Sequence, residues 1–232
     1  MHSKGSELII HWYIDLENRL RQFLKIVPYD HQNKNVVLPL LSSIIVEAGS
    51  LIDTIFREEF KKTKKKKLTI SDFAPHYENI LNLSQKKTIF YNFPLSYIQP
   101  FLNWCDKKKK NYVTLDWWTN YNQLKHNRIE KHSLSTLDTA IKSLCALHQT
   151  ISQLPTFFEA LVRNNMICFG RLNKEFARKA IFQDPPTETL LVESFLFATT
   201  LGRIELPEEP ENIELSYLQS SEKLRRFLGR DF

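Results

Sequence analysis

Glycine is scarce in this chain, with only 5 residues in 232. Neither the GxGxxG pattern of dinucleotide-binding folds nor the GxxxxGK pattern of phosphate-binding loops occurs. Both patterns need glycine, because the backbone must turn sharply or approach a phosphate closely. The sequence therefore argues against a Rossmann enzyme and against a P-loop nucleotide hydrolase.

Cysteine is also rare, and its three positions, Cys105, Cys145 and Cys168, are far apart. This spacing favours neither disulfides nor a cysteine zinc site, and it predicts a cytoplasmic location. The chain begins without a signal-peptide pattern and has no run of about 18–20 apolar residues. His126 and His132 do not share one helical face as a metal pair would. We therefore expect no metal, no cofactor and no membrane partner.

Positive charge is concentrated in two lysine runs. The formal net charge is +6, and without the ten lysines of these runs the rest of the chain would be mildly acidic. The runs are either solvated loops between helices or an electrostatic footprint for nucleic acid. On the second interpretation the RNA-binding residues would include Lys64, Lys65, Lys66, Lys67, Lys107, Lys108, Lys109 and Lys110.

Apolar residues recur at helical spacing through most of the chain. The pattern predicts helices at about 6–26, 36–60, 71–83, 115–127, 135–152 and 155–165, an extended or irregular segment at 88–93, and a last helix at 190–201. Leu8 and Trp12 fall on the predicted core stripe of the first helix, and Ser135 with Asp138 resembles a capping box. We therefore expect an all-α helical bundle with irregular inserts.

The domain prediction follows from these elements. It places the helical bundle at residues 1–165 and a C-terminal extension, packed on the bundle, at 166–232. The extension contains a short acidic stretch with prolines, formed by Glu205, Glu208, Glu209, Glu211 and Glu214. Such a stretch could dock on a basic surface of the same chain or of a partner.

The segment 116–128, DWWTNYNQLKHNR, carries the most chemistry. Its apolar residues recur at helical spacing and can face a core. Its polar residues gather at the C-terminal end, where Lys125 and Arg128 flank His126. An imidazole between two cations suits an anion, and phosphate is the common one.

Cleavage of RNA through its own 2′-hydroxyl needs such a set of groups. Histidine can take or give a proton near neutral pH, and lysine or arginine can hold the charge that develops on the phosphate. Asn122 and Tyr121 can orient the phosphate by hydrogen bonds. The candidate catalytic residues are therefore His126, Arg128, Lys125, Asn122 and Tyr121, and His132 is a further candidate RNA contact.

A structural interpretation of the same segment stays open. A tryptophan-rich amphipathic helix that ends in Lys-His-Asn-Arg can be a core helix with a solvated end. His126 would then bind a backbone carbonyl or a buried carboxylate such as Glu47 or Asp53.

Three segments resemble a known group. EAGSLIDTIFR at 47–57, PFLNW at 100–104 and WWTNYNQLKHNR at 117–128 are similar to prokaryotic proteins that look HEPN-like, and the resemblance spans roughly residues 35–150. HEPN proteins are α-helical bundles common in toxin–antitoxin, abortive-infection and CRISPR-linked systems. The resemblance implies metal-independent cleavage of RNA in a cleft between two protomers, hence a homodimer. It also implies a partner protein encoded in a defence or toxin–antitoxin operon.

HEPN ribonucleases carry an arginine, often followed by asparagine, and then a histidine. In one register Asn122 and His126 match the asparagine and histidine, while Tyr121 stands where the family has arginine. In a second register Arg128 pairs with His132, with a spacing shorter than usual. Three functions therefore stay open: an RNA-cleaving effector, a non-catalytic module that binds nucleic acid, nucleotide or protein, and a structural bundle.

Overall fold

The computed structural model describes residues 3–60, 68–106, 111–168, 191–201 and 206–210. The described α-helices are α1 (Ser3–Leu24), α2 (Pro39–Glu59), α3 (Ile70–Leu81), α4 (Asp116–His126), α5 (Leu137–Gln153) and α6 (Phe158–Arg163). The described strands are β1 (Thr88–Phe90), β2 (Ser96–Ile98), β3 (Cys105–Asp106), β4 (Asn111–Tyr112), β5 (Ile167–Cys168), β6 (Leu191–Glu193) and β7 (Phe197–Thr200).

Local signals explain where the helices begin. Pro39 occupies the first turn of α2, where its missing N–H removes no hydrogen bond. The Asp72 carboxylate accepts from the Thr69 backbone N–H at 2.8 Å and so caps α3. Thr136, and not the predicted Ser135, caps α5, because its Oγ1 accepts from the Thr139 backbone N–H at 3.1 Å.

Five strands form an antiparallel sheet in the order β2-β1-β7-β6-β5. Ile89 lies opposite Ala198 in the register of β1 with β7. Side chains alternate between the two faces of the sheet. Phe90 and Phe197 join the main core, whereas Ile89, Leu191, Ala198 and Leu206 form a second apolar cluster. Strands β3 and β4 form a separate two-stranded sheet.

The all-α prediction is wrong, because the protein is a mixed α/β fold. The predicted last helix at 190–201 is the hairpin of β6 and β7, and the irregular segment at 88–93 contains β1. A continuous apolar run is compatible with a buried strand as well as with a buried helix. Periodicity alone therefore cannot distinguish the two elements. Residues 194–196 form the turn that breaks this run, with the bend at Phe195 and Leu196.

Helix α5 lies at the centre of the molecule. It packs against α1, α2 and α4, and β7 of the sheet also contacts it. Fifteen of its residues are buried, on all sides of the helix, as expected for a helix surrounded by other elements. Its buried polar side chains reach the sheet and the loops: Gln153 donates to the Thr200 carbonyl at 2.8 Å, and Gln149 donates to the Leu83 carbonyl at 2.9 Å.

The buried face of α1 differs from the prediction. Leu8 and Trp12, placed on the core stripe, are 49% and 51% exposed. The buried positions are Ser6, Ile9, Ile10, Tyr13, Leu16, Glu17, Leu20 and Phe23. The core-facing stripe is therefore rotated, and it includes two ionisable residues, Tyr13 and Glu17.

Helix α2 is, by length and composition, apolar enough to cross a membrane, with a mean hydropathy of 1.4 over its best 18-residue window. It is the one such helix in the described part of the chain, and 56% of that window is buried inside the protein. Core helices meet the same criterion, and α2 packs against α5, α1 and α4.

The predicted domain boundary near residue 165 lies next to the sheet. Residues 191–201 pair with β1 and contact α5, so they share one sheet and one core with the N-terminal part. Of the acidic stretch, residues 206–210 are described: Lys87 donates from Nζ to the Pro207 and Glu208 carbonyls at 3.1 and 3.3 Å. Glu205, Glu211 and Glu214 lie outside the described residues.

Candidate functional site

Helix α4 carries the candidate residues because one of its faces is anchored in the core. Trp117, Trp118, Tyr121 and Leu124 are all buried, as their helical spacing predicts. The Trp117 indole donates to the Pro100 carbonyl at 2.7 Å. The opposite face of α4, with Asn122 and His126, therefore points away from the core.

Tyr121 is a core residue whose hydroxyl accepts a hydrogen bond from an exposed lysine. Its side chain is 1% exposed, and its ring lies so close to Gly49 that a Cβ there would meet ring atoms at 2.5 Å. Lys125 donates from Nζ to the Tyr121 hydroxyl at 3.0 Å and lies 5.3 Å from the ring centroid. Tyr121 thus positions Lys125, and its burial keeps its ring away from a ligand at the surface.

Residues 125–132, which we call the basic segment, comprise the last two residues of α4 and the exposed turn that follows it. Asn127 and Glu130 bond to each other through their side chains, and the Lys131 backbone N–H donates to the Asn127 carbonyl at 3.1 Å. A 3-10 helix at His132–Leu134 follows. The His132 ring nitrogen Nδ1 lies 3.0 Å from the Ile129 carbonyl. These bonds order the backbone that carries the cations.

The basic segment contains three of the five predicted catalytic residues, Lys125, His126 and Arg128, and also the predicted RNA contact His132. Lys125, His126, Arg128, Lys131 and His132 are all exposed, and their charges are balanced within the segment only by Glu130. Asn122 is half-buried one helical turn before His126. Asn122, Lys125, His126 and Arg128 are thus close in the chain and accessible, whereas the Tyr121 ring is not.

His126 does not have the structural role that a buried carboxylate would give it. Glu47 binds Arg19 at 2.6 Å and Asp53 binds Arg57 at 3.0 Å. Within the part of the chain that the structure covers, no side-chain hydrogen bond or ion pair engages His126 or Arg128. Their polar atoms are therefore available to an external ligand.

The two lysine runs, at 61–67 and 107–110, lie outside the described residues. The predicted RNA contacts of Lys64–Lys67 and Lys107–Lys110 therefore stay predictions. Among the residues that are described, no three His, Cys, Asp or Glu side chains group as metal ligands would.

A polar groove of about 430 Å³ lies between α4 and α5, at the N-terminal half of α4. Asp116, Trp117, Thr119 and Asn120 form its α4 side. Asp138, Thr139 and Lys142 form its α5 side, preceded by Thr114 on the loop into α4. The groove shares α4 with the basic segment but lies at the other end of the helix.

A buried polar cluster, missed by the sequence analysis, joins α1, α5 and the β6–β7 turn. The Tyr13 hydroxyl contacts Glu17 at 3.1 Å, Ser194 at 2.8 Å and Nδ1 of His148 at 3.0 Å. The Glu17 carboxylate accepts from the backbone N–H groups of Phe195 at 3.1 Å and Leu196 at 2.8 Å. Glu17 and Ser194 are 177 positions apart in the sequence, so no local pattern could reveal the cluster.

Burial dominates the electrostatics of this cluster. It raises the pKa of Glu17 above its usual value, although hydrogen bonds from Ser194, Leu196 and Phe195 act in the opposite direction. Burial, reinforced by the nearby Glu17 charge, also raises the pKa of Tyr13. Tyr13, Glu17 and His148 are fully buried. A substrate cannot reach them, so the cluster serves to hold the turn on the helices.

Comparison with models of known families, with curated proteins and with solved structures finds no match to this chain. The HEPN resemblance and what it implies therefore stay predictions, and the functional argument rests on the geometry of α4 and the basic segment.

Proposed function

We propose that this protein binds single-stranded RNA through the basic segment and the exposed face of α4. The observation that carries the proposal is the group of exposed cations on a hydrogen-bonded turn, Lys125, Arg128 and Lys131, flanked by His126 and His132. Lysine and arginine side chains bind phosphate oxygens by charge-assisted hydrogen bonds. Flexible single strands let a protein reach phosphates and base edges at once, which a paired RNA helix restricts.

The favourable effect of positive charge at a helix end explains only some of these cations. The C-terminal end of a helix attracts positive charge, which accounts for Lys125 and His126 at the last turn of α4. It does not account for Arg128 and Lys131, which follow the helix and have no ion-pair partner among the residues that the structure covers. Free cations on an ordered turn favour an anionic ligand.

The test is a titration of a fluorescent single-stranded RNA at several salt concentrations. Each lost phosphate contact on a single strand lowers the slope of log affinity against log salt by about 0.7. The double variant Lys125→Gln/Arg128→Gln should therefore lower the slope by about 1.4. Lys4→Gln/Lys25→Gln, which removes two exposed charges from α1 and the residue after it, is the matched control. Equal effects of the two double variants would contradict the proposal.

Metal-independent cleavage of the bound RNA is a second candidate function. The specific observation in its favour is His126, an exposed imidazole without a side-chain partner in the described ranges, one turn from Asn122 and adjacent to Lys125. His126 would take the proton of the 2′-hydroxyl as its oxygen attacks phosphorus and the 5′-oxygen leaves. The 5′-oxygen would be protonated by a second imidazole, which a homodimer would supply.

Cleavage is tested by incubating RNA with the protein in EDTA. Wild-type protein and the His11→Ala control, which removes an exposed histidine of α1, should release fragments with cyclic-phosphate ends. His126→Ala should release none while still binding RNA. Binding without cleavage by the wild-type protein would leave a non-catalytic RNA-binding module, and a role in phage defence would then need a partner protein.

A further inference from the structure

We propose that the groove between α4 and α5 is a base-binding subsite that favours bases carrying an amino group over uracil. Recognition of the base within RNA rests on the proposed RNA-binding function. The volume of about 430 Å³ lies within the range of roughly 300–1,000 Å³ that is typical of small-molecule sites.

The helical spacing connects the groove to the basic segment. Asp116, Thr119, Gln123 and His126 recur at intervals of three or four residues, so they line one face of α4. Each of them is exposed or half-buried. At a rise of 1.5 Å per residue, the ten steps from Asp116 to His126 span about 15 Å. One open helix face therefore leads from the groove to the phosphate-binding cations.

Hydrogen bonds within the protein already use much of the α5 side of the groove. The Asp138 carboxylate accepts from Lys142 at 2.7 Å and from the Tyr29 hydroxyl at 2.7 Å. Lys142 thereby neutralises the charge of Asp138. The Thr139 hydroxyl accepts from the Asn120 amide nitrogen at 3.2 Å. These hydrogen bonds fix the positions of the side chains on the α5 side of the groove.

Among the described residues that line the groove, the charged group without an ion-pair partner lies on α4, because Lys142 pairs with Asp138. Asp116 is exposed, and its carboxylate has no side-chain partner among the residues that the structure places. The Asn120 amide nitrogen donates to Thr139, which leaves its carbonyl oxygen as an acceptor and one N–H as a donor. A free carboxylate repels phosphate, so Asp116 favours an uncharged ligand that presents a hydrogen-bond donor to it.

The bases of RNA differ in the donors that they offer. Cytosine and adenine carry exocyclic amino groups, and carboxylates accept from the cytosine amino group in known protein–nucleic acid contacts. Uracil has a carbonyl where cytosine has its amino group. Its one donor on that edge, the N3–H, is flanked by two carbonyl oxygens, which the Asp116 carboxylate would repel. Trp117 lines the groove but is only 3% exposed, so it adds no more than a small apolar contact. The Asp116 carboxylate thus fits cytosine or adenine better than uracil.

The experiment compares oligo(A), oligo(C) and oligo(U) of equal length by fluorescence anisotropy. Wild-type protein should bind oligo(A) and oligo(C) about tenfold more tightly than oligo(U), the size expected for one good base contact. Asp116→Asn offers an amide that can donate to the uracil carbonyl, and it should abolish or reverse the preference. Asp15→Asn, at a carboxyl that is 66% exposed on α1, should leave the preference unchanged.

A second measurement separates the groove from the phosphate-binding surface. Cytidine and uridine lack phosphate, and their binding is followed by the shift of the Trp117 indole N–H resonance. Cytidine should shift this resonance at lower concentration than uridine. RNA binding without base preference, or equal effects of Asp116→Asn and Asp15→Asn, would overturn the base subsite and leave the proposed function standing. A cytidine-selective shift without RNA binding would overturn the proposed function alone.

Discussion

At the scale of single residues, Gly49 and Tyr121 show how α2 shapes the candidate site. The absence of a side chain at Gly49 lets the Tyr121 ring pack directly on α2. The buried ring holds its hydroxyl where Lys125 can donate to it at 3.0 Å. A backbone position on one helix therefore sets the position of a cation on another.

Gly49→Ala should destabilise the protein. The new Cβ would lie 2.5 Å from the Tyr121 ring, so the ring or the two helices must shift, at a cost of roughly 1–3 kcal/mol for overpacking. Urea unfolding measures the change. Thr54→Ala, on the exposed side of α2, should change the free energy of unfolding by less than about 0.5 kcal/mol. A neutral or stabilising Gly49→Ala would contradict the packing described.

The raised pKa of Glu17 makes the free energy of unfolding depend on pH. Because burial raises its pKa in the folded state, the folded state binds the Glu17 proton more tightly than the unfolded chain does. The stabilisation that results from this tighter proton binding is fully present below the usual pKa of 4.5. It decreases as pH rises through the higher pKa of the folded state. The hydrogen bonds that Glu17 accepts from the Phe195 and Leu196 backbone partly oppose this rise in pKa.

The variant Glu17→Gln tests whether the stabilisation by Glu17 decreases as pH rises. An amide cannot accept at both of the positions that the two carboxylate oxygens occupy, so the variant should lose about 1–3 kcal/mol of stability. The difference from wild type, followed by urea unfolding from pH 4 to pH 8, should be largest at the acid end. A difference that grows with pH would show that the pKa of Glu17 is lowered on folding.

The sequence predicted the candidate site only where the signal was local. The burial of Trp117 and Leu124 and the exposure of Lys125 and His126 follow from helical spacing. The cluster of Tyr13, Glu17, His148 and Ser194 does not, because its members come from three distant segments. Helical spacing places His148 on the core stripe of α5, whereas Glu17 would be expected on a polar surface by composition alone.

At the scale of elements, the first five helices were predicted to within a few residues and the strands were not. Helix α2 was expected at 36–60 and occupies Pro39–Glu59. In the sequence, β6 and β7 form one apolar run. Strand β1, the partner of β7, lies about a hundred residues earlier in the chain. Strand pairing over such a separation depends on tertiary contacts that one local window does not contain.

The pairing of β1 with β7 contains a buried pair of hydroxyls, Thr88 and Thr199, 2.8 Å apart. Thr88→Val removes one partner and leaves the other hydroxyl unsatisfied, which should cost about 1–3 kcal/mol. Thr88→Val/Thr199→Val removes both, so its cost should be smaller than the sum of the two single changes. Urea unfolding of the four proteins gives the coupling, and Thr54→Val on the exposed side of α2 is the control. Strict additivity would contradict the contact.

At the scale of the whole molecule, the N-terminal and C-terminal parts are interlocked. Strands β6 and β7 contribute to the core that α1 and α5 enclose. The turn between them supplies the backbone donors to Glu17. The sheet therefore cannot be removed without exposing α5 and leaving a buried carboxyl without its partners.

A chain that ends at residue 165 should fail to fold cooperatively for this reason. It would lose the hairpin that pairs with β1 and would expose the buried polar residues of α5. Circular dichroism should show helix without a sharp urea transition. A chain that ends at residue 210 keeps these contacts and should unfold in one transition. Cooperative unfolding of the shorter chain would support the predicted boundary near residue 165.

The position of β1 inside the sheet also affects the newly made chain on the ribosome. Strand β1 pairs with β2 soon after both are synthesised, but its other edge pairs with β7. At about 5–20 residues per second, the ribosome needs roughly 5–20 s to translate from residue 90 to residue 200. During that interval an apolar strand edge stays open to other nascent chains. Slower translation lengthens this exposure, so the yield of native protein should depend on elongation rate and on chaperones that cover strand edges.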